Sequence, residues 1–143
     1  MKSIKDTPFY QDAIQEINFP FGDYFLFETF VVGEVHKDVV YTWENHGKIV
    51  VEELTNLYDQ NGKDLVYITN RINPYSVVPS DWLNFYKFQY MLKGYAIVSY
   101  NPKGILNTML EKLFMRNKLK SFKDLGEAIA WAKSLTKSKE AVA

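Results

Sequence analysis

The chain has 143 residues, of which 17 are basic and 17 are acidic, so its formal net charge is zero. This length suits one domain with a single hydrophobic core, and the balanced charge argues against a general attraction to nucleic acid or to an anionic membrane. Because there is no cysteine, disulfides, thiolate metal sites and cysteine nucleophiles are excluded, and we expect a cytoplasmic protein.

No stretch of the sequence approaches the roughly 18 apolar residues that a membrane-spanning helix needs, so we expect no membrane insertion. We divide the chain into an N-terminal extension (residues 1–11), a single domain (residues 12–137) and a flexible tail (residues 138–143). Tyr, Phe and Trp together make 16% of the residues, which favours a thick core and a homodimer interface.

The first elements are two β-rich runs, residues 13–19 and 24–35, separated by Pro20-Phe21-Gly22-Asp23. This separation predicts a hairpin, and the second run is apolar on both faces, as an interior strand is. Thr42 then predicts the N-cap of a helix that reaches residue 58. The apolar residues of this helix predict one buried stripe, and Asn61-Gly62 is expected to end the helix. The stripe comprises Trp43, Val50, Leu54 and Leu57.

Short apolar runs at residues 65–68 and 95–100 predict two buried strands. Each is followed by a predicted helix, one over residues 81–92 with Ser80 as its cap and one that starts after Pro102. A short edge strand over residues 120–122 precedes a last helix, which Asp124 caps, with Glu127 at the capping-box spacing. The whole pattern predicts an α/β fold with a mixed sheet of about five strands and about four helices.

The stretch from Tyr67 to Trp82 is the most informative, because a buried strand passes there into a polar loop that contains two prolines. Strand ends of this kind are where open α/β sheets meet ligands and partners. Arg71 presents paired donors that suit a carboxylate or phosphate, or it could tie the loop to Asp81 or Glu34. The candidate contact residues are Asn70, Arg71, Asn73, Tyr75, Ser76 and Trp82.

Two serines of this loop are candidates for phosphorylation. A phosphate on Ser80 would lie on the free amide groups at the start of a helix, and Ser76 lies earlier in the same loop. The competing interpretation of Ser80 is a simple N-cap.

Metal, cofactor and catalytic patterns are missing from the sequence. His36 and His46 lack a zinc-type spacing, and no nucleotide-binding glycine motif occurs, so we expect no metal and no cofactor. A triad of Ser76, His36 and Asp81 is formally possible but has no nucleophile elbow around the serine. A basic run near the C-terminal helices predicts a solvated face rather than a nucleic-acid site. The run comprises Lys112, Arg116, Lys118, Lys120 and Lys123.

The order of elements, the segment from Tyr67 to Trp82 and the last helix, Phe122 to Trp131, together resemble the STAS-like, SpoIIAA-like family in its uncharacterised bacterial branch. The resemblance covers about residues 12–136. It implies a small regulatory or protein-binding domain, in some relatives switched by phosphorylation of a serine after the third strand. Where those relatives carry an Asp-Ser pair, this chain has Asn70-Arg71.

We therefore expect a non-enzymatic regulatory or protein-interaction module, homodimeric, with an unknown protein partner. One alternative is a carrier or sensor of an apolar small molecule or lipid, with the aromatic residues of the second predicted helix as its wall. Those residues are Trp82, Phe85, Tyr86, Phe88 and Tyr90. The other alternative is a small hydrolase, which needs a serine, a histidine and a carboxylate within hydrogen-bond reach.

Overall fold

The computed structural model describes the backbone of residues 2–59, 62–73, 76–77, 92–100 and 119–142, and the side chains of these residues except 76–77 and 136–142. In this part of the chain, eight strands form a six-stranded and a two-stranded sheet. The strands are β1 (Gln15–Phe19), β2 (Gly22–Leu26), β3 (Phe30–Val35), β4 (Val40–Tyr41), β5 (Val66–Arg71), β6 (Ser76–Val77), β7 (Gly94–Ser99) and β8 (Leu119–Phe122).

The six-stranded sheet has the order β1-β2-β3-β5-β7-β8. Strands β1, β2 and β3 form an antiparallel meander, whereas β3, β5, β7 and β8 are mutually parallel. The prediction of a mixed α/β sheet is confirmed, and the sheet has six strands rather than about five. Strands β4 and β6 pair in parallel as a separate small sheet.

The predicted single strand over residues 24–35 is wrong, because the run divides into β2 and β3. The Phe27 amide donates to the Phe30 carbonyl at 2.9 Å, which closes a tight reversal over Glu28 and Thr29. Neither residue is a typical turn former. The apolar character of the flanking strands hides the reversal in the sequence.

Two α-helices lie within the described residues: α1 (Lys48–Tyr58) and α2 (Leu125–Val142). This is fewer than the four expected, and the helices predicted over residues 81–92 and after Pro102 lie outside the described part. In that part, no helix combines the length and the apolar character that crossing a membrane requires. The cap of α2 is as predicted, because the Asp124 carboxylate accepts the Glu127 amide at 3.1 Å.

The helix predicted after Thr42 begins with a π-helical turn, Trp43–Gly47, before α1. Thr42 is the N-cap, as predicted. The predicted burial of Leu57 is wrong, since 42% of it is exposed, and the inward face of α1 extends instead toward Tyr58. The left-handed residue that ends α1 is Asp59 rather than Gly62.

The core lies on both faces of the six-stranded sheet. On one face, α2 packs through Leu125, Ala128, Ile129 and Ala132, as its sequence pattern predicts. Two 3-10 helices, Ile4–Asp6 and Pro8–Asp12, cover the same face, and Ile4 is fully buried in that core. On the other face, α1 packs over the tyrosine-rich surface of the sheet.

Candidate functional site

Strands β3, β5 and β7 are neighbours, run parallel and end at one edge of the sheet. The register sets Gly33 beside Thr69, so Glu34 and Asn70 follow next to each other at that edge. Because side chains alternate between the two faces of a sheet, both point toward α2, and so does Tyr100 just after β7. We call Glu34, Asn70 and Tyr100 the polar seat.

Glu34 is a carboxylate with only 4% of its surface exposed. Its Oε1 accepts a hydrogen bond from Ser3 Oγ at 2.6 Å. Its Oε2 accepts from the Ile4 amide and from Asn70 Nδ2, each at 2.8 Å. These donors are all neutral groups. A buried carboxylate loses the hydration of its charge and needs such donors in return. Glu34 therefore stabilises the position of residues 3 and 4, and these residues in turn allow Glu34 to stay buried.

Asn70 lies at the centre of the seat, and none of its surface is exposed. Its amide group donates to Glu34 and to the Lys2 carbonyl oxygen at 2.8 Å, and its Oδ1 accepts from the Tyr100 hydroxyl at 2.9 Å. Both amide hydrogens and the amide oxygen are therefore used. Asn70 cannot touch a partner while residues 2–4, which we call the N-terminal arm, stay in place.

The Tyr100 hydroxyl keeps its proton under ordinary conditions. Burial raises the pKa of this group, and the nearby Asp124 carboxylate raises it further. Tyr100 thus remains the donor that fixes the orientation of the Asn70 amide. Its donated hydrogen bond leaves the Asn70 amide hydrogens facing Glu34 and the arm.

Arg71 and Asn73 lie at the beginning of the predicted contact loop. Arg71 ends β5 with a half-buried side chain, and strand alternation directs it to the face opposite to Asn70 and Glu34. The alternative in which Arg71 ties the loop to Glu34 therefore finds no support. Asn73 Nδ2 donates to the Val35 carbonyl at 3.2 Å, which ties the loop to the end of β3.

The remaining predicted site residues lie outside what the structure describes. Tyr75, Ser80 and Trp82 belong to undescribed segments, and for Ser76 only the backbone is described, paired with Val40 between β4 and β6. Asp81 is also outside, so the suggested triad is represented by His36 alone. Both ring nitrogens of His36 have partners, the Pro20 carbonyl and the Asp23 carboxylate. Among the described residues, no group of His, Asp and Glu could hold a metal ion.

His46 lies in the π-helical turn between aromatic rings. Its ring contacts Phe21 edge-on at 4.7 Å and stacks on Tyr41 at 5.2 Å between centroids. The Thr42 amide donates to His46 Nδ1 at 3.0 Å, which requires that nitrogen to be unprotonated. Burial lowers the pKa of the ring.

On the α1 side of the sheet, tyrosine rings pack over Gly33. A Cβ atom there would meet Tyr67 Oη at 2.7 Å and Tyr24 Cε1 at 2.8 Å. Tyr67 also stacks on Tyr95 at 5.2 Å. Burial is the main reason that the pKa of Tyr24 is raised well above its usual value. Tyr24 is therefore a neutral packing group.

Surface clefts adjoin the sheet, and two of them are lined by residues that the structure describes. The amino-edge cleft, of about 370 Å³, is lined by Phe9, Asp12, Ile14, Phe27, Glu28, Thr29, Phe30 and Lys133. The arm cleft, of about 400 Å³, runs between the N-terminal arm and the start of α2. It is lined by Lys2, Asp6, Thr7, Pro8, Phe9, Tyr100, Lys123, Asp124, Leu125 and Gly126.

The sequence interpretation missed the polar seat as a unit. It identified Asn70 but gave no role to Tyr100 or to residues 2–4, and it considered Glu34 only as an anchor for Arg71. One signal was available, since Glu34 is a charged residue inside the apolar strand β3 and such a residue needs a partner. Comparisons of the chain with family models, with curated proteins and with solved structures find no match. The resemblance to the STAS-like family stays a prediction.

Proposed function

We propose that this chain is a non-enzymatic regulatory or protein-interaction module of the STAS-like type, acting in the cytoplasm as a homodimer. Its contact surface is the loop that follows the buried Asn70, residues 71–82, and Arg71 is the residue that binds the partner. The observation that supports this most is the double anchoring of the start of the loop, residues 70–73. Asn70 is buried and fully hydrogen-bonded at one side of Arg71, and Asn73 bonds to β3 at the other.

Such anchoring lowers the cost of binding at Arg71, because residues 70–73 are already ordered and lose little conformational entropy when a partner docks. Arg71 emerges from an interior strand, β5, whose backbone pairs on both sides. Its guanidinium offers parallel donors to a carboxylate or a phosphate. An acidic segment of a partner protein fits this chemistry. Phosphorylation at Ser76 or Ser80 would change the charge of the contact surface, because it adds negative charge to the same loop.

A second candidate function is the carriage of an apolar small molecule or lipid. The amino-edge cleft favours it, because Phe9, Phe27 and Phe30 are among the residues that line its volume of about 370 Å³. This is at the lower end of the range for ligand pockets. In the same cleft the Lys133 ammonium lies over the Phe9 ring, 5.7 Å from its centroid. No observation in the described part favours the hydrolase alternative.

The experiment replaces Arg71 by Ala in the full chain. We expect the free energy of unfolding to change by no more than about 1 kcal/mol, because a cation that stays in partial contact with solvent contributes little to folding, while partner binding is lost. Tagged wild-type and variant proteins are purified from the native host and compared by native mass spectrometry. That measurement reports protein partners, small molecules, phosphate and subunit number together.

The matched control is Lys37→Ala, which removes a cation from an exposed turn and should retain every bound species. Unfolding of the Arg71→Ala protein at room temperature would assign Arg71 a structural role. A partner that stays bound to the folded variant would remove the loop from consideration as the contact surface. A bound lipid or other apolar mass in both proteins would favour the carrier.

A further inference from the structure

Two backbone groups of the N-terminal arm bond to the polar seat. Asn70 Nδ2 donates to the Lys2 carbonyl oxygen and Glu34 Oε2 accepts the Ile4 amide hydrogen, each at 2.8 Å. These two backbone groups are two residues apart, and Ser3 between them has an extended conformation (φ −64°, ψ 150°). The polar seat thus provides one donor and one acceptor to the main chain on either side of Ser3, the extended residue just before the 3-10 helix Ile4–Asp6. Peptide-binding sites likewise bind a segment through its backbone.

Two side chains of the arm add selectivity. The Ser3 hydroxyl donates to Glu34 Oε1 at 2.6 Å, so a hydroxyl is favoured at this position. The Ile4 side chain is fully buried between the sheet and α2, so an aliphatic residue is favoured next. Lys2 is exposed, and the residue before the hydroxyl is therefore free to vary.

The arm contributes no strand to either sheet, so its release breaks none of the strand pairing. When the arm leaves, water reaches the Glu34 carboxylate and the Asn70 amide, and hydration offsets part of the lost hydrogen bonding. The arm cleft of about 400 Å³ lies beside this position and gives room for the flanking residues of an incoming segment. The occupied seat and the adjoining space together resemble a binding groove with a ligand in place.

We propose that the polar seat is a recognition site for a peptide that carries Ser or Thr in an extended conformation, followed by Ile, Val or Leu at the start of a helical turn. The chain's own residues 2–4 occupy this site as an exchangeable internal ligand. The physiological role of this site rests on the proposed function, because the peptide would be a segment of the partner protein that binds at the same edge of the sheet. Peptide binding itself is independent of Arg71, which lies on the opposite face.

The test uses a fluorescein-labelled synthetic peptide with the sequence of residues 2–9, and fluorescence anisotropy with the full-length chain. In the wild-type protein the arm competes at an effective concentration on the order of millimolar, so the free peptide should bind weakly. Ile4→Ala in the chain weakens the arm but leaves the seat intact. We expect this variant to bind the peptide at least about tenfold more tightly than wild type does.

The matched control is the same peptide with Ala in place of the isoleucine, which should bind the variant at least about tenfold more weakly, because it lacks the group that fills the buried position. Equal affinity of the labelled peptide for wild type and variant, with no preference over the control peptide, would overturn the proposal. Arg71→Ala should leave peptide affinity unchanged. This keeps a failure of the seat distinct from a failure of the Arg71 loop.

A second measurement uses the unaltered chain and does not depend on whether the variant folds. Hydrogen exchange should show the Ile4 amide, which bonds to Glu34, opening at least about tenfold more often than the Ile68 amide in the interior strand β5. Equal protection of the two amides would show that the arm opens only when the whole core unfolds. That result would overturn the exchangeable arm even if Ile4→Ala proved too unstable to study.

Discussion

Glu34 shows how one residue can determine the structure of a whole edge of the sheet. A carboxylate inside an apolar strand cannot remain buried without donors, and here the donors come from β5 and from the N-terminal arm. The need for a partner could be predicted from the sequence. The identity of the partners could not, because Ile4 and Asn70 lie 30 and 36 residues away from Glu34 and no local pattern joins them.

Replacement of Glu34 by Gln tests the charge of the seat with little change in shape. The glutamine side chain has one acceptor oxygen where the carboxylate offers two to the hydroxyl of Ser3 and the amides of Ile4 and Asn70. We expect the free energy of unfolding to fall by about 1–3 kcal/mol, as when charge-assisted hydrogen bonds are lost, measured by urea denaturation at pH 7. Glu28→Gln, at an exposed turn, is the control and should change it by less than about 0.5 kcal/mol. Unchanged stability of Glu34→Gln would mean that the hydrogen bonds from Ser3, Ile4 and Asn70 do not need the negative charge of Glu34.

At the scale of elements, regular patterns were predictable and local departures from them were not. The inward face and the cap of α2 follow from the spacing of Leu125, Ala128, Ile129 and Ala132 and from Asp124. The division of residues 24–35 into two strands and the π-helical turn before α1 left no clear sequence signal. Both depend on backbone hydrogen bonds, from Phe27 to Phe30 and from the Gly47 amide to Thr42, rather than on residue type.

We expect His46, in the π-helical turn, to make the stability of the protein depend on pH. Burial holds the pKa of this ring below its ordinary value, so the unfolded chain binds the proton more readily than the folded one. Stability should therefore be fully present above the ordinary histidine pKa of about 6.5 and should fall as the pH drops through it toward the lower folded value. The loss should stay under about 1 kcal/mol because the ring is only partly buried.

Urea denaturation at pH 7 and pH 5 measures this effect, with wild type compared with His46→Phe. The phenylalanine keeps an aromatic ring between Phe21 and Tyr41 but cannot titrate. We expect the drop in stability between the two pH values to be smaller in the variant. An equal drop in both proteins would assign the pH dependence to other groups, and a larger drop in the variant would reverse the sign derived from burial.

At the scale of the whole molecule, the α/β class and the positions of β5 and β7 were predictable, because buried strands leave continuous apolar runs in the sequence. The placement of residues 2–12 on the sheet was not. Ile4 packs in the main core and Tyr10 packs edge-on against Phe25 at 5.8 Å, although this segment has no helix-like or strand-like period. The side chains that fix it are distant in sequence, as in the Asn70 to Lys2 bond across 68 residues.

We expect the predicted homodimer to form at the open edge of the six-stranded sheet, along β1. In the described part of the chain, β1 has a neighbouring strand on one side only, and Ile14, which precedes it, is 70% exposed. An open edge beside an apolar residue favours pairing with a second chain, and a net charge of zero gives no overall repulsion against it. We expect light scattering to give twice the chain mass of 16.7 kDa and Ile14→Lys to give one chain mass, because a lysine at a strand edge opposes such pairing.

Val40→Lys, at a site 58% exposed in β4, is the control and should remain dimeric. A wild-type mass of 16.7 kDa at the highest concentration would exclude the dimer, and a dimeric Ile14→Lys protein would place its interface elsewhere.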